Sequence, residues 1–279
     1  IDITGLTEIG RDITEILDYN PGSFSVIQYE RPKYVYAPEG MPSTIIMGSL
    51  PSRLMEKSKI SEGLRASILV DKYIDHLPLH RQQQRFERAG ISMAKSSLND
   101  WTRDGLQQLL ILYEEHKRIV LNSSYLSVDE TTIKVLDDSK KGKAHLGYYW
   151  VYYNIEQRLV LFDYRQGRGR EGPNDILKNF KGYLQTDGYS AYEDFDKREG
   201  ITLIHCMAHA RRKFMEARQN NPELADHALE LIQQLYSIEN KIKQEDLNTN
   251  EIVELRQNYA VPVLKTLKQW MTEQYLKAL

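Results

Sequence analysis

The chain has 279 residues, enough for one large domain with a smaller one, or for two of moderate size. Its 41% hydrophobic and 27% charged residues are ordinary for a globular protein, and its formal net charge of −2 excludes a uniformly basic nucleic-acid coat, so DNA contact must come from local patches. A single cysteine, Cys206, excludes an internal disulfide framework and a four-cysteine zinc ribbon, and no apolar run approaches the ~18–20 residues needed to span a bilayer.

The chain opens Ile1-Asp2-Ile3-Thr4, without an initiator Met, a basic segment or an apolar signal core. It closes inside a helical pattern, Leu264 to Leu279, with no stop signal. An excised piece of a longer protein is therefore expected. The first fifty residues read as short extended segments: Phe24 to Tyr29 and Arg31 to Tyr36 as strands, Asn20-Pro21-Gly22 as a turn, and Ala37 to Leu50 as a loop.

From Ser61 the spacing of Leu64, Ile68, Leu69 and Tyr73 predicts a helix. Two more are expected on either side of Ala89-Gly90-Ile91-Ser92, one over Leu79 to Ala89 and one starting near Ser96 with Leu98 and Trp101. A short glycine-containing turn between helices gives a helix-turn-helix outline, which fits DNA reading or plain helix packing. A separate helix over Gly105 to Leu121 is expected to turn Leu109, Leu110, Leu112 and Val120 towards a core.

At Ser123 the period changes to that of strands. Tyr125 to Leu136, Gly147 to Asn154 and Leu159 to Tyr164 read as three consecutive strands, with turns at Asp137 to Gly142 and Asn154 to Arg158. A helix over Pro173 to Phe180, a strand Gly182 to Asp187, a short helix around Tyr192, a strand Ile201 to Cys206 and a helix Ala208 to Gln219 follow, and everything after Pro222 reads as helix. This is an α/β chain in the ribonuclease H-like order, a mixed sheet flanked by helices. The 18 tyrosines against 6 phenylalanines suit strands and core edges.

In such a sheet the first and fourth strands are neighbours, so Asp129 and Asp187, each read as ending an apolar strand, stand side by side. Phosphodiester chemistry uses this arrangement: two Mg²⁺ or Mn²⁺ ions roughly 4 Å apart, held by hard oxygen ligands, activate the attacking hydroxyl and stabilise the leaving oxygen. A haloacid-dehalogenase type of phosphatase also begins with a strand ending in Asp. It requires a second Asp two positions on, where this chain has Thr131.

Five segments make a family resemblance specific: Lys72 to Gln82 with Ser96 to Trp101, Asp129-Glu130-Thr131 with Ile133 to Leu136, Tyr149-Trp150-Val151-Tyr152, Gly182 to Tyr192, and Cys206-Met207-Ala208-His209-Ala210-Arg211-Arg212-Lys213-Phe214. In order and spacing they resemble the DDE-type transposases of the insertion sequence 66 family, over nearly the whole chain. The resemblance implies a DNA transposase that binds element-end DNA and catalyses strand cleavage and strand transfer in the bacterial cytoplasm. Asp129 and Asp187 would be its first two catalytic and metal-binding acids. The third, a glutamate in an Asn-Asn-x-x-Glu-Arg segment, would lie past Leu279, leaving Glu216 and Glu239 as surface residues and the chain inactive alone. The implied partners are double-stranded DNA at transposon ends and target, further copies of the chain on DNA, and small accessory proteins of the same element, with no membrane.

The domain organisation expected on this basis is 1–50, a cysteine-less remnant of a small zinc-finger-like β region; 60–121, helical and helix-turn-helix-like; 122–220, the ribonuclease H-like core; and 221–279, the start of a helical insertion. His205, Cys206 and His209 sit where a strand passes into a helix. One Cys and two His leave a zinc ion short of a ligand, so no zinc is expected. A Cys-x-x-His after the second acid recurs in several DDE transposase groups, and the resemblance implies that Cys206 and His209 are structural or site-supporting. Arg165, Arg168 and Arg170, and Arg211, Arg212 and Lys213, are the candidates for phosphate contact. Another ribonuclease H-like nuclease, or a non-catalytic DNA-binding module, remain the competing functions.

Overall fold

The computed structural model describes residues 14–18, 22–37, 39–40, 42–55, 58–136, 142–245 and 247–278. The chain divides into two compact units, Ile1–Leu110 and Ile111–Leu279. Among the described residues no helix is long and apolar enough to cross a membrane.

In the first unit, β1 (Lys33–Tyr36) pairs antiparallel with β2 (Thr44–Met47), from Lys33↔Met47 to Tyr36↔Thr44. The expected loop over 37–50 thus contains a strand. Its Thr-Ile-Ile core is β-branched and favours extended backbone despite the flanking prolines and glycines. Phe24 to Tyr29 forms no strand; Phe24 instead meets Phe86 edge-on, ring centres 5.3 Å apart. Asn20 and Pro21 of the expected turn lie outside the described residues.

Helix α1 (Glu62–Tyr73) starts at Ser61, whose Oγ accepts from the Leu64 N–H at 3.2 Å and satisfies one of the free donors of the first turn. Helix α2 (Leu79–Arg88) is closed by Gly90 at φ +80°, with Gly90 and Ile91 N–H donating back to Glu87 and Phe86 carbonyls at 2.9 Å each. Helix α3 runs unbroken over Lys95–Leu121. Ile60, Ile68, Phe86 and Leu98 form the buried cluster of this unit.

Gly105 does not divide α3 into the two helices expected. A Cβ there would lie 3.0 Å from Leu69 Cδ1 and 3.3 Å from Arg65 Cδ, so the glycine lets α1 approach closely. The expectation that Leu109, Leu110 and Leu112 face a core is also corrected. They are 46%, 53% and 66% exposed, whereas Val120 is fully buried. Consecutive apolar residues from 109 to 112 spread over about 300° of helix circumference and cannot share one face.

The second unit is built on a five-stranded sheet of β3 (Tyr125–Leu136), β4 (Ala144–Asn154), β5 (Leu159–Arg165), β6 (Gly182–Thr186) and β7 (Ile201–His205), in the order β5-β4-β3-β6-β7. The β3–β4 and β4–β5 pairs are antiparallel, β3–β6 and β6–β7 parallel. Helix α4 (Glu171–Ile176) carries Pro173 in its first turn, where a missing N–H costs nothing, and begins two residues before the expected start. A 3₁₀ helix, Ser190–Lys197, follows β6, and α5 (Met207–Ala217) follows β7. Positions 137–141 of the expected β3–β4 turn lie outside the described residues.

Leu126, Val128, Trp150, Tyr152, Leu161 and Leu184 form one apolar sheet face, closed by Val120, Leu177, Tyr192 and Phe195. Each such side chain, removed from water, contributes roughly 1.5–3 kcal/mol. Helices α6 (Pro222–Gln244), α7 (Thr249–Leu255) and α8 (Val261–Ala278) end the chain, with a π-helical turn, Arg256–Ala260, joining the last two. Leu231, Ile232 and Leu267, with Met207, Phe214 and Trp270 against them, hold α5, α6 and α8 together.

The close approach at Gly105 sets an expectation. Gly105→Leu should cost about 1–3 kcal/mol through overpacking against Arg65 and Leu69. Gly63→Ala, whose Cβ would meet only Ser61 Oγ at 3.9 Å, should gain up to about 1 kcal/mol from helix propensity. Urea denaturation separates the two, and wild-type stability for Gly105→Leu would contradict the packing described.

Candidate active site

Successive side chains of β3 alternate between the two sheet faces. Leu126 and Val128 are buried in the core, so Ser127 and Asp129 point the other way. The parallel pairing of β3 with β6 runs Tyr125↔Tyr183, Leu126↔Leu184, Ser127↔Gln185. Across the last of these rungs Ser127 Oγ donates to Gln185 Oε1 at 2.9 Å, which fixes both side chains on one face. Two residues further on stand Asp129, on that same face of β3, and Asp187, in the turn directly after the end of β6.

The expectation that Asp129 ends its strand is corrected: β3 continues to Leu136, paired with β4 as far as Leu136↔Ala144. What ends at this level is β6, where Gly188 takes φ +86° and turns the chain away. The acids therefore lie where β3 loses its β6 neighbour and one flank of the sheet opens. Asp187 Oδ1 accepts the Tyr189 N–H at 2.8 Å, an Asx turn that aims the side chain, and its Oδ2 has no donor among the described residues. Asp129 Oδ1 accepts the Glu130 N–H at 2.8 Å, and its Oδ2 lies 3.5 Å from His209 Nε2.

His209 reaches Asp129 through the β7–α5 junction. The Cys206 N–H donates to the Thr186 carbonyl at 2.8 Å, and the Cys206 carbonyl accepts the His209 N–H at 3.1 Å. The Cys-x-x-His segment thus ties the end of β6 to the first turn of α5. His205 is exposed at the end of β7. Among the described residues no three His, Cys, Asp or Glu side chains are grouped so as to hold a metal ion.

On the core-facing side, beside Asp129, sits Glu130, whose side chain is only 3% exposed. It forms an ion pair with Arg168, Arg168 Nε donating to Oε1 at 2.7 Å, while Tyr192 Oη donates to Oε2 at 3.2 Å. The Arg168 guanidinium stacks 3.9 Å from the Tyr189 ring centre, and Tyr189 Oη donates to the Arg168 carbonyl at 3.0 Å. Burial pushes the Glu130 carboxyl above its ordinary range; Arg168 pulls it back, and the charge of Asp187 adds to the rise. Burial, then the Glu130 charge, pushes the Tyr192 phenol up, so it remains a donor. Glu130, Tyr189 and Tyr192 were not singled out from the sequence. The available signal was parity: Glu130 falls on the same alternation as Leu126 and Val128, an inward position that a lone carboxylate can hold only if paired.

The remaining candidates separate into engaged and open charges. Arg165 bonds Asp163 at 2.6 Å and Asp175 at 2.9 Å, and Arg170 bonds Asp194 at 2.8 Å. Lys213 lies 3.3 Å from Glu216 on α5, and Glu239 on α6 pairs with Arg256 at 2.7 Å. Arg211 and Arg212 have no carboxylate partner among the described residues.

Glu130 also makes stability depend on pH. Its folded pKa lies above the ordinary 4.5, so the folded chain holds this proton more tightly than the unfolded one. The associated stability is full below 4.5 and is lost as pH rises through the folded value. Glu130→Gln, neutral throughout, should remove that falling component. Urea denaturation from pH 4 to pH 7 checks this, and the same slope in variant and wild type would contradict it.

The sequence is 30% identical over 283 residues to an uncharacterized protein, y4qI, of Sinorhizobium fredii (strain NBRC 101917 / NGR234), covering 95% of this chain and 51% of that protein. Two further uncharacterized proteins of the same strain, y4jD and y4hP, are each 28% identical, covering 94% and 96% of this chain and 53% and 52% of their own lengths. The chain thus spans about half the length of the curated relatives it matches. The model of the Transposase IS66 family matches residues 57–279, which include the whole five-stranded sheet and both aspartates, and the chain belongs to that family.

Proposed function

We propose that the protein is a metal-dependent DNA transposase with a ribonuclease H-like catalytic core, and that Asp129 and Asp187 are two of its metal-binding carboxylates. The observation that supports this is the parallel register of β3 and β6, with Asp129 two residues past Ser127 and Asp187 two residues past its partner Gln185, just beyond the end of β6. Their donor set, hard carboxylate oxygens with Asp187 Oδ2 left without a donor, fits Mg²⁺ or Mn²⁺ and not a soft metal. When bound, two such ions supply charge at the attacking and leaving oxygens of the phosphodiester.

The chain's own residues do the positioning. The Tyr189 N–H aims Asp187, the Glu130 N–H and His209 flank Asp129, and the parallel rungs hold the two strands at a fixed spacing. Helix α5 carries His209 beside Asp129 and, directly after it, Arg211, Arg212 and Lys213. A duplex lying against this helix would bring a phosphate to the acids and its neighbours to the open guanidiniums. Arg165 and Arg170 would meet phosphate only by exchanging their carboxylate partners.

A non-catalytic DNA-binding role is the second reading, favoured by one observation: no third ligand joins the two acids among the described residues. On the transposase reading that ligand comes from elsewhere in the complete protein. The chain alone should then show no robust Mg²⁺-dependent cleavage of transposon-end DNA, and efficient cleavage would overturn that expectation. In a full-length family member carrying these residues, Asp129→Asn and Asp187→Asn should each lower strand cleavage and transfer by more than about a hundredfold, since loss of outer-shell groups alone costs up to that much. DNA binding should stay largely intact. Unimpaired transposition by either variant would support the non-catalytic role.

A further inference from the structure

Arg168 is an unusual member of its glycine-spaced basic segment. Arg170 pairs with Asp194, whose side chain is 48% exposed, and could trade that carboxylate for a phosphate at little cost. The partner of Arg168 is Glu130, 3% exposed, and swinging the guanidinium away would leave a buried carboxylate without its counter-charge. Arg168 also touches both acid-bearing segments at once. Glu130 is the neighbour of Asp129, and Tyr189, whose N–H holds Asp187, lies under the guanidinium and bonds the Arg168 carbonyl.

We propose that Arg168 is a positioning residue that sets the separation of the two acids, by clamping the β3 strand of Asp129 and the turn of Asp187 to the loop after β5. This rests on the reading of Asp129 and Asp187 as metal ligands. The clamp needs a planar fork that bonds a carboxylate while its flat face covers an aromatic ring, which a lysine ammonium does not supply. Arg168 is accordingly withdrawn from the set of residues that meet DNA phosphate.

The test uses the whole chain and three measurements: Mn²⁺ titration, hydrogen exchange of the 126–136 and 187–192 segments, and the salt dependence of binding to a random-sequence DNA duplex. Arg168→Ala should weaken Mn²⁺ binding by about tenfold or more, as loss of groups that orient metal ligands does. It should speed exchange in both segments, and Arg168→Lys should not restore either. Tyr189→Phe, which deletes one hydroxyl, should produce a smaller change of the same kind, and these two milder variants carry the test if Arg168→Ala fails to fold. The slope of log affinity against log salt should be unchanged by Arg168→Ala, whereas Arg212→Ala lowers it by about one. A fall in slope of about one for Arg168→Ala, with Mn²⁺ affinity and exchange at wild-type values, would overturn the proposal. If the wild-type chain binds Mn²⁺ and Asp129→Asn and Asp187→Asn leave that binding unchanged, it is the metal reading that fails, whereas a chain that binds no Mn²⁺ alone reflects the ligand supplied from elsewhere. Exchange then decides on Arg168 alone: faster exchange at 187–192 upholds the clamp and unchanged exchange removes it.

Discussion

The parallel register between β3 and β6 is the constraint on which the site depends. Three rungs, Tyr125↔Tyr183 to Ser127↔Gln185, join segments far apart in sequence, and Asp129 and Asp187 each lie two residues beyond the last rung. Parallel pairing has no hairpin to enforce it, so the register must come from the side chains. Leu126, Val128 and Leu184 supply it by locking into the core beneath Trp150 and Tyr192. The apolar face of the sheet thereby determines the geometry of the polar one.

Asp129 and Glu130 divide the labour of a negatively charged pair. The first stays on the open face beside His209, its side chain 55% exposed; the second is enclosed and answered by Arg168. Placing both carboxylates on one side would add like-charge repulsion beside Asp187 without a counter-charge to relieve it. Opposite placement lets the strand carry two acids within one step of backbone. It also gives the loop after β5 a task inside the protein, which explains how a segment rich in arginine can leave little free positive charge.

Much of this was legible in the sequence because it is written in period and order. Alternation over Tyr125 to Leu136, the succession of strands and helices, and Pro173 in a first turn were enough to make β3 and β6 neighbours, and so to put Asp129 and Asp187 on adjacent segments. What escaped depended on partners distant in sequence. Gly105 reads as a break until α1 is seen against it, and Thr44–Met47 reads as loop because proline and glycine surround it. Arg165, Arg168 and Arg170 read as free charge because Asp175, Glu130 and Asp194 are assigned to them only by the fold. The apolar run at 109–112 shows the converse: composition suggested burial that helical geometry does not permit.

The π-helical turn at Arg256–Ala260 has its own consequence for the end of the chain. Leu255 and Val263 are eight positions apart, and at about 100° per residue a uniform α-helix would set them about 80° out of line. One extra residue accommodated in the wider turn reduces that to about 20°, so half-buried Leu255 and the α8 residues Val263 and Leu267 share a side. The turn works as a phase correction: it lets two helical stretches whose apolar stripes are out of step present a continuous seam, with Leu267 and Trp270 joining the cluster formed by α6 and Arg256 held by Glu239 of the same helix. Straightening the segment would gain regular hydrogen bonding and lose that alignment.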